Sequence, residues 1–117
     1  IGSPGMNVLR AEVREGSAFF QGHRVPLEGT ISGNGGVTEL GIRPEFVSLS
    51  DSGLPACIRN ISDVGRHAVV EALVGDTPVK AIVEGELPEK GAAVHLDFRA
   101  DQTRLYRDGW IATEAAS

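Results

Sequence analysis

The sequence predicts an all-β fold, a closed or nearly closed antiparallel barrel or sandwich of short strands with at most one or two short helical turns. The chain has 15 glycines and 6 prolines among 117 residues, and these break it too often for long helices. Between the breaks, apolar and polar residues alternate with the period of two that is typical of strands with one buried face. A chain of 117 residues has the length of one domain with a single core.

Strand patterns recur along the whole chain. The first shows the alternation clearly, because apolar Leu9, Ala11 and Val13 are separated by charged residues. Near the end, Asp108-Gly109 lies between bulky residues and is a strong signal for a β-hairpin. The predicted strands cover residues 9–14, 18–21, 24–27, 37–42, 56–64, 67–74, 78–83 and 94–98, followed by the hairpin around residues 108–109.

Two segments interrupt the strand pattern. Residues 28–36 predict a flexible loop, because their glycines and the Asn34-Gly35 pair favour turns. A glycine-rich loop can also cradle a phosphate, but residues 32–38 contain no lysine to neutralise one, so we favour a connector. Arg43-Pro44-Glu45 predicts one helical turn, since proline suits the first helical position and a carboxylate suits the positive end.

Charge and hydropathy argue against two kinds of partner. The chain has a net charge of −5 and as a whole repels nucleic-acid phosphates and anionic membrane surfaces. Basic residues cluster about the aromatic residues only at Arg104 and Arg107, so a base-stacking surface is not expected. No stretch approaches the roughly 20 apolar residues that span a bilayer, and residues 1–7 do not resemble a signal peptide. We therefore expect no nucleic-acid partner and no direct membrane insertion.

Residues with catalytic or metal-binding chemistry are few. The lone Cys57 lies in an alternating apolar run and is expected to be a buried thiol, as in a reducing compartment. His23, His67 and His95 lack the spacing of helical zinc ligands, whereas His95 and Asp97 share a strand face and suggest a surface hydrogen-bonded pair. No Gly-x-Ser-x-Gly nucleophile motif occurs. The sequence therefore predicts no catalytic, cofactor-binding or metal-binding residues.

Four segments together resemble one protein family. They are "IGSPGMN" at 1–7, "LGIRPEF" at 40–46, "VVEALVGDTPVKAIV" at 69–83 and "TRLYRDGWI" at 103–111. In this order they resemble the C-terminal regulatory domain, of the kind called TOBE, in ATP-binding subunits of bacterial ABC importers of the maltose and glycerol-phosphate type. Phe46 stands where that family usually has histidine, and Val74 intervenes in its usual Leu-Gly pair. No role of the histidine is therefore carried over.

The resemblance implies an OB-like antiparallel β-barrel over residues 8–112. Residues 1–7 would be the remnant of a junction with an upstream ATPase domain, and residues 113–117 would be a frayed tail. The parent protein would be a transport ATPase that binds ATP and Mg²⁺ upstream, whereas this segment would be noncatalytic and bind neither. The resemblance also implies a cytoplasmic protein, peripheral on the cytoplasmic face of the inner membrane and in contact with the transporter's membrane subunits.

Regulatory domains of this family pair across a two-fold axis, so the resemblance implies a homodimer, with a possible regulatory protein as a further partner. The imported solute would be a carbohydrate, a polyol or a glycerol-phosphate-like compound. A rigid, charged segment is expected to orient the pairing, namely Gly41, Ile42, Arg43, Pro44, Glu45 and Phe46. The alternative is a salt-bridged corner that merely closes one end of the barrel. A different function, capture of a small oxyanion or sugar by the barrel, also stays open, whereas no motif predicts an enzyme.

Overall fold

The computed structural model describes residues 5–114. Within them every described strand pairing is antiparallel, and helical structure is limited to two single 3-10 turns, which confirms the all-β prediction. The chain divides into two compact units. One comprises Ile1–Ile42 and Phe98–Ser117 as far as they are described, and the other is Arg43–Asp97. None of the helical turns in this described range is long and apolar enough to cross a membrane.

The strands follow the predicted segments to within a few residues. They are β1 (Asn7–Arg14), β2 (Ser17–Phe20), β3 (His23–Val25), β4 (Thr30–Ile31), β5 (Thr38–Ile42), β6 (Val47–Ser50), β7 (Leu54–Asp63), β8 (His67–Val74), β9 (Thr77–Glu84), β10 (Ala93–Phe98), β11 (Arg104–Arg107), β12 (Trp110–Ile111) and β13 (Thr113–Glu114). The two 3-10 turns are Pro44–Phe46 and Ala100–Gln102. Strands β4, β6 and β13 were not predicted: β4 lies in the segment expected to be a loop, β13 in the expected tail, and β6 directly follows the expected helical turn.

The first unit contains a sheet with the strand order β12-β11-β5-β1-β2-β3 and a short β4-β13 pair. Its longest strand has one buried face and one outer face, as the period of two of a strand predicts. Along β1, for example, Leu9 and Ala11 are buried whereas Arg10 and Glu12 are exposed. The buried apolar residues of this unit are Leu9, Ala11, Ala18, Phe20, Val25, Leu40, Ile42, Phe98, Leu105 and Ala112.

The second unit is built on a sheet with the strand order β6-β10-β7-β8-β9. Strand β6 and the Pro44–Phe46 turn also pack against β9, so the two edge strands meet and the sheet curls towards closure. The register of the pairing between β7 and β8 shifts between Ile58 and Asn60, as it does at a β-bulge. The buried apolar residues of this unit are Val47, Leu54, Ile58, Ala68, Val70, Ala72, Val74, Val79, Ala81 and Leu96.

The C-terminal end of the described chain is paired with another strand. Thr113 lies opposite Ile31, and Ser32 N donates a hydrogen bond to the Ala112 carbonyl at 2.8 Å, which aligns β4 with β13. We expected a frayed tail from Thr113 onwards, whereas Thr113 and Glu114 form a strand. Residues 115–117 of that tail, and residues 1–4 of the expected junction, lie outside the described residues.

Candidate functional site

The expected contact segment, residues 41–46, begins with two buried residues. Gly41 and Ile42 end strand β5 and are buried, so they present no side chain to a partner. At Gly41, the Met6 methyl group and the Tyr106 ring occupy the place that a side chain would take. Glycine at this position therefore lets both residues pack closely over β5, which is a structural role.

The second part of the segment is the predicted helical turn, and the structure confirms it as a 3-10 turn. Phe46 N donates a hydrogen bond to the Arg43 carbonyl oxygen at 3.0 Å, and Pro44 occupies the first helical position. Arg43 and Glu45 are exposed, whereas Pro44 and Phe46 are half-buried. In the described part of the chain no ion pair joins Arg43 to Glu45. The salt-bridged corner is therefore not formed, and two opposite charges face solvent two residues apart.

The glycine-rich loop is held by the closing hairpin. The Arg107 guanidinium donates hydrogen bonds from Nε to the Gly35 carbonyl at 2.7 Å and from Nη1 to the Ser32 carbonyl. The Asp108 carboxylate accepts one from Val37 N at 2.9 Å, and Asp108 N donates to the Val37 carbonyl at 2.8 Å. We predicted a flexible connector, but residues some seventy positions away in the chain fix it, and sequence periodicity carries no signal of such contacts.

The same contacts argue against a phosphate cradle in this loop. Its carbonyl groups, rather than its amides, face the bound guanidinium, and the Asp108 carboxylate lies where a Cβ of Gly36 would be. An anion cradle needs converging N–H groups and no adjacent negative charge. Gly33 and Gly36 have φ of +73° and +72°, so both the close approach and the backbone require glycine.

Replacing Arg107 with alanine is expected to release residues 32–37 and to lower the free energy of unfolding by about 1.5–3 kcal/mol, the usual worth of hydrogen bonds from a charged donor. Hydrogen exchange of the loop amides, measured by mass spectrometry, reports the release. Arg24→Ala is the matched control, because Arg24 makes a long 3.4 Å contact with Ser17, and it should change stability by less than about 0.5 kcal/mol. Unchanged exchange in Arg107→Ala would contradict this role.

The residues with reactive side chains do not assemble into a centre. Cys57 is exposed, so the prediction of a buried thiol was wrong: Leu54 and Ile58 face the core from β7, and Cys57 lies on the opposite side, with Sγ 3.6 Å from the Gly91 carbonyl. His95 and Asp97 lie on the outer side of β10 as predicted, but among the described residues no hydrogen bond joins their side chains, so the expected pair is not formed. No group of three or more His, Cys, Asp or Glu within residues 5–114 is placed to hold a metal ion.

Comparison with known proteins identifies the family. The model of the MalK OB fold domain matches residues 2–47, and the model of the TOBE domain matches residues 40–105. The chain is also similar to a Sinorhizobium fredii protein named "Uncharacterized ABC transporter ATP-binding protein", with 34% identity over 113 residues. That alignment covers 82% of this chain and 30% of the relative, so the chain spans less than a third of that protein. The chain belongs to the TOBE domain family and carries a MalK OB fold domain match at its N-terminal side, as the resemblance of its segments predicted.

Proposed function

We propose that this chain is a noncatalytic regulatory domain of an ABC transporter ATP-binding subunit. The observation that carries the proposal is the succession of the MalK OB fold and TOBE domain matches, residues 2–47 and 40–105. The Sinorhizobium fredii relative supports it, because its name is that of an ATP-binding protein and this chain covers 30% of it. The rest of such a protein has room for an ATPase domain, in which ATP and Mg²⁺ would bind.

Within that role, the domain pairs with a second copy, and the Arg43–Phe46 turn orients the pair. Arg43 and Glu45 are exposed and do not pair with each other. Across a two-fold axis they can pair reciprocally, Arg43 of each copy with the partner's Glu45. A stable interface buries about 1,200–2,000 Å², far more than one turn provides. The turn therefore sets the geometry of the pair, and other surfaces supply most of the affinity.

The double substitution Arg43→Ala with Glu45→Ala is expected to raise the dimer dissociation constant by about tenfold. Two reciprocal surface ion pairs are lost, each worth about 0.2–1 kcal/mol. Sedimentation velocity over a range of protein concentrations measures the dissociation constant. Arg66→Ala with Glu86→Ala is the matched control, because it removes two exposed, opposite charges from the same unit and should leave the constant unchanged. If both double variants dimerise like the wild type, the turn is a structural corner and does not orient the pair.

We further propose that the parent protein imports a carbohydrate, polyol or glycerol-phosphate-like solute, together with membrane subunits at the cytoplasmic face of the inner membrane. The MalK OB fold match supports this solute class. The coding sequence upstream of Ile1 is expected to contain a Walker A lysine and an ABC signature. Uptake of labelled maltose and glycerol 3-phosphate, compared between cells with and without the gene, then tests the solute. Uptake of both that is independent of the gene would exclude maltose and glycerol 3-phosphate as the solute.

A further inference from the structure

The outer face of the larger sheet in the first unit brings four arginines together. Residues opposite one another in an antiparallel pairing share a face. One row across the strands holds Val8, Gly41 and Arg104. The next row along β1 holds Arg10, Glu39, Tyr106 and Ile111. The row after it holds Glu12, Phe19 and Arg24, and the last row holds Arg14 and Ser17. We call this surface, with its arginines Arg10, Arg14, Arg24 and Arg104, the basic face.

The basic face has the opposite charge to the chain as a whole. Its four arginines outnumber its two glutamates, Glu12 and Glu39, for a net charge of +2 in a chain whose net charge is −5. Glu12 engages Arg14 loosely, at 3.9 Å, with side chains that are 77% and 58% exposed. None of the described ion pairs joins Arg10 to Glu39, although they lie opposite each other. The guanidinium groups on this face are therefore weakly neutralised from within the protein.

Apolar and aromatic groups fill the space between the arginines. Val8 is 41% exposed and Ile111 is 61% exposed, so two large apolar side chains of this face are open to solvent. Tyr106 packs over Gly41, and the Arg14 guanidinium lies 4.3 Å from the centroid of the Phe19 ring. Apolar centres bordered by arginine and tyrosine are the composition of protein–protein interfaces.

We propose that the basic face docks an acidic protein segment, whose carboxylates pair with the arginines while its apolar side chains cover Val8 and Ile111. Guanidinium groups bind carboxylates through two parallel hydrogen bonds, which gives such a contact direction as well as strength. The molecule already shows this preference, because Arg99 binds the Asp101 carboxylate with two hydrogen bonds, at 2.7 and 3.1 Å. The partner is thus a protein with spaced negative charges, and this contact does not depend on the pairing of two copies.

A nucleic acid fits the basic face less well than an acidic protein segment. A phosphodiester backbone carries its negative charge without interruption. Glu12 and Glu39 lie between the arginines and would repel such a backbone, whereas a peptide can place neutral residues opposite them. The spacing of the arginines also favours a peptide. Arg10 and Arg14 are four residues apart on β1, about 13 Å along an extended strand. Side chains four residues apart in an extended peptide have the same spacing.

Fluorescence anisotropy at low ionic strength tests the proposal on the 117-residue chain. The probes are a labelled peptide of four Glu-Val repeats, a labelled peptide of four Lys-Val repeats and a labelled ten-nucleotide oligo-dT. We expect binding of the Glu-Val peptide and weaker or no binding of the other two. Arg10→Glu with Arg24→Glu should weaken binding of the Glu-Val peptide by about tenfold or more, because two attractive contacts become repulsive.

Arg66→Glu with Lys90→Glu is the matched control, because it gives the same net charge by changing exposed residues of the second unit. This control should bind the Glu-Val peptide within about twofold of the wild type, since it leaves every residue of the basic face unchanged. Equal losses in both variants, no binding by the wild type, or tighter binding of oligo-dT would each overturn the proposal. The milder Arg10→Gln, Arg24→Gln variant tests whether binding is lost through unfolding. We expect it to bind the Glu-Val peptide more weakly than the wild type and to unfold at the same temperature. Sedimentation of the same variants distinguishes failure of this contact from failure of the dimer.

Discussion

Replacing Phe20 with alanine is expected to lower the free energy of unfolding by about 3–5 kcal/mol. The Phe20 side chain is 1% exposed and is among the largest fully buried groups of the protein. Its removal takes away the transfer free energy of an aromatic ring and leaves a cavity that the close-packed β-sheet neighbours fill incompletely. Urea unfolding followed by circular dichroism measures the change through the midpoint at constant slope.

Phe19 provides the matched control for this cavity. It precedes Phe20 on β2, and its side chain lies on the opposite, outer face, where it is half-buried beneath Arg14. Phe19→Ala should cost about 1 kcal/mol, because it removes a cation–π contact and partial burial without opening an internal cavity. Equal costs for the two substitutions would show that the assignment of faces along β2 is wrong.

Gly53→Ala is expected to lower the free energy of unfolding by about 3 kcal/mol or more. Gly53 has φ of +125°, a backbone conformation that residues other than glycine rarely adopt. Forcing alanine into it costs about 1–3 kcal/mol. A Cβ here would also clash with the Leu96 carbonyl oxygen and lie 3.2 Å from its carbon. Because that neighbour is backbone of strand β10, it cannot rotate away, and overpacking adds about 1–3 kcal/mol.

Gly65→Ala separates the cost of backbone strain from the cost of the steric clash, the two parts of the destabilisation expected at Gly53. Gly65 has φ of +106°, but no atom lies within 4 Å of the place that a Cβ would take, so the substitution adds backbone strain without a clash. We expect it to cost about 1–2 kcal/mol, clearly less than Gly53→Ala, in the same denaturant titration. If Gly65→Ala costs as much as Gly53→Ala, the close approach to Leu96 contributes nothing.

The local signals in the sequence predicted the strands well. The alternation of Leu9, Ala11 and Val13 with charged residues locates β1, and Asp108-Gly109 locates the hairpin between β11 and β12. In the turn, Asp108 has φ of 51° and Gly109 has φ of 88°, the positive values that this dipeptide favours. These signals are reliable because a strand's period and a tight turn depend on residues that are adjacent in the chain.

The candidate surfaces were predicted less completely, because they depend on contacts between distant segments. Alternation placed Cys57 in an apolar run without telling which side of β7 faces the core, and the chosen side was wrong. Gly41 and Ile42 were expected in a contact surface, but the packing of Met6 and Tyr106 over β5 shows a structural role for Gly41. Similarly, composition did not indicate that Trp110 is 80% exposed whereas Phe20 is buried.

By itself, the sequence determined the all-β class, most strand positions, most turns and the resemblance to the TOBE family. The tertiary structure alone decided that Arg107 and Asp108 fix the glycine-rich loop, and that Arg24 and Arg104 share a face with Arg10. The physical reason is that periodicity and turn preference are properties of neighbouring residues. Strand order and register depend instead on burial summed over the whole sheet, and a shift of one residue would reverse every face.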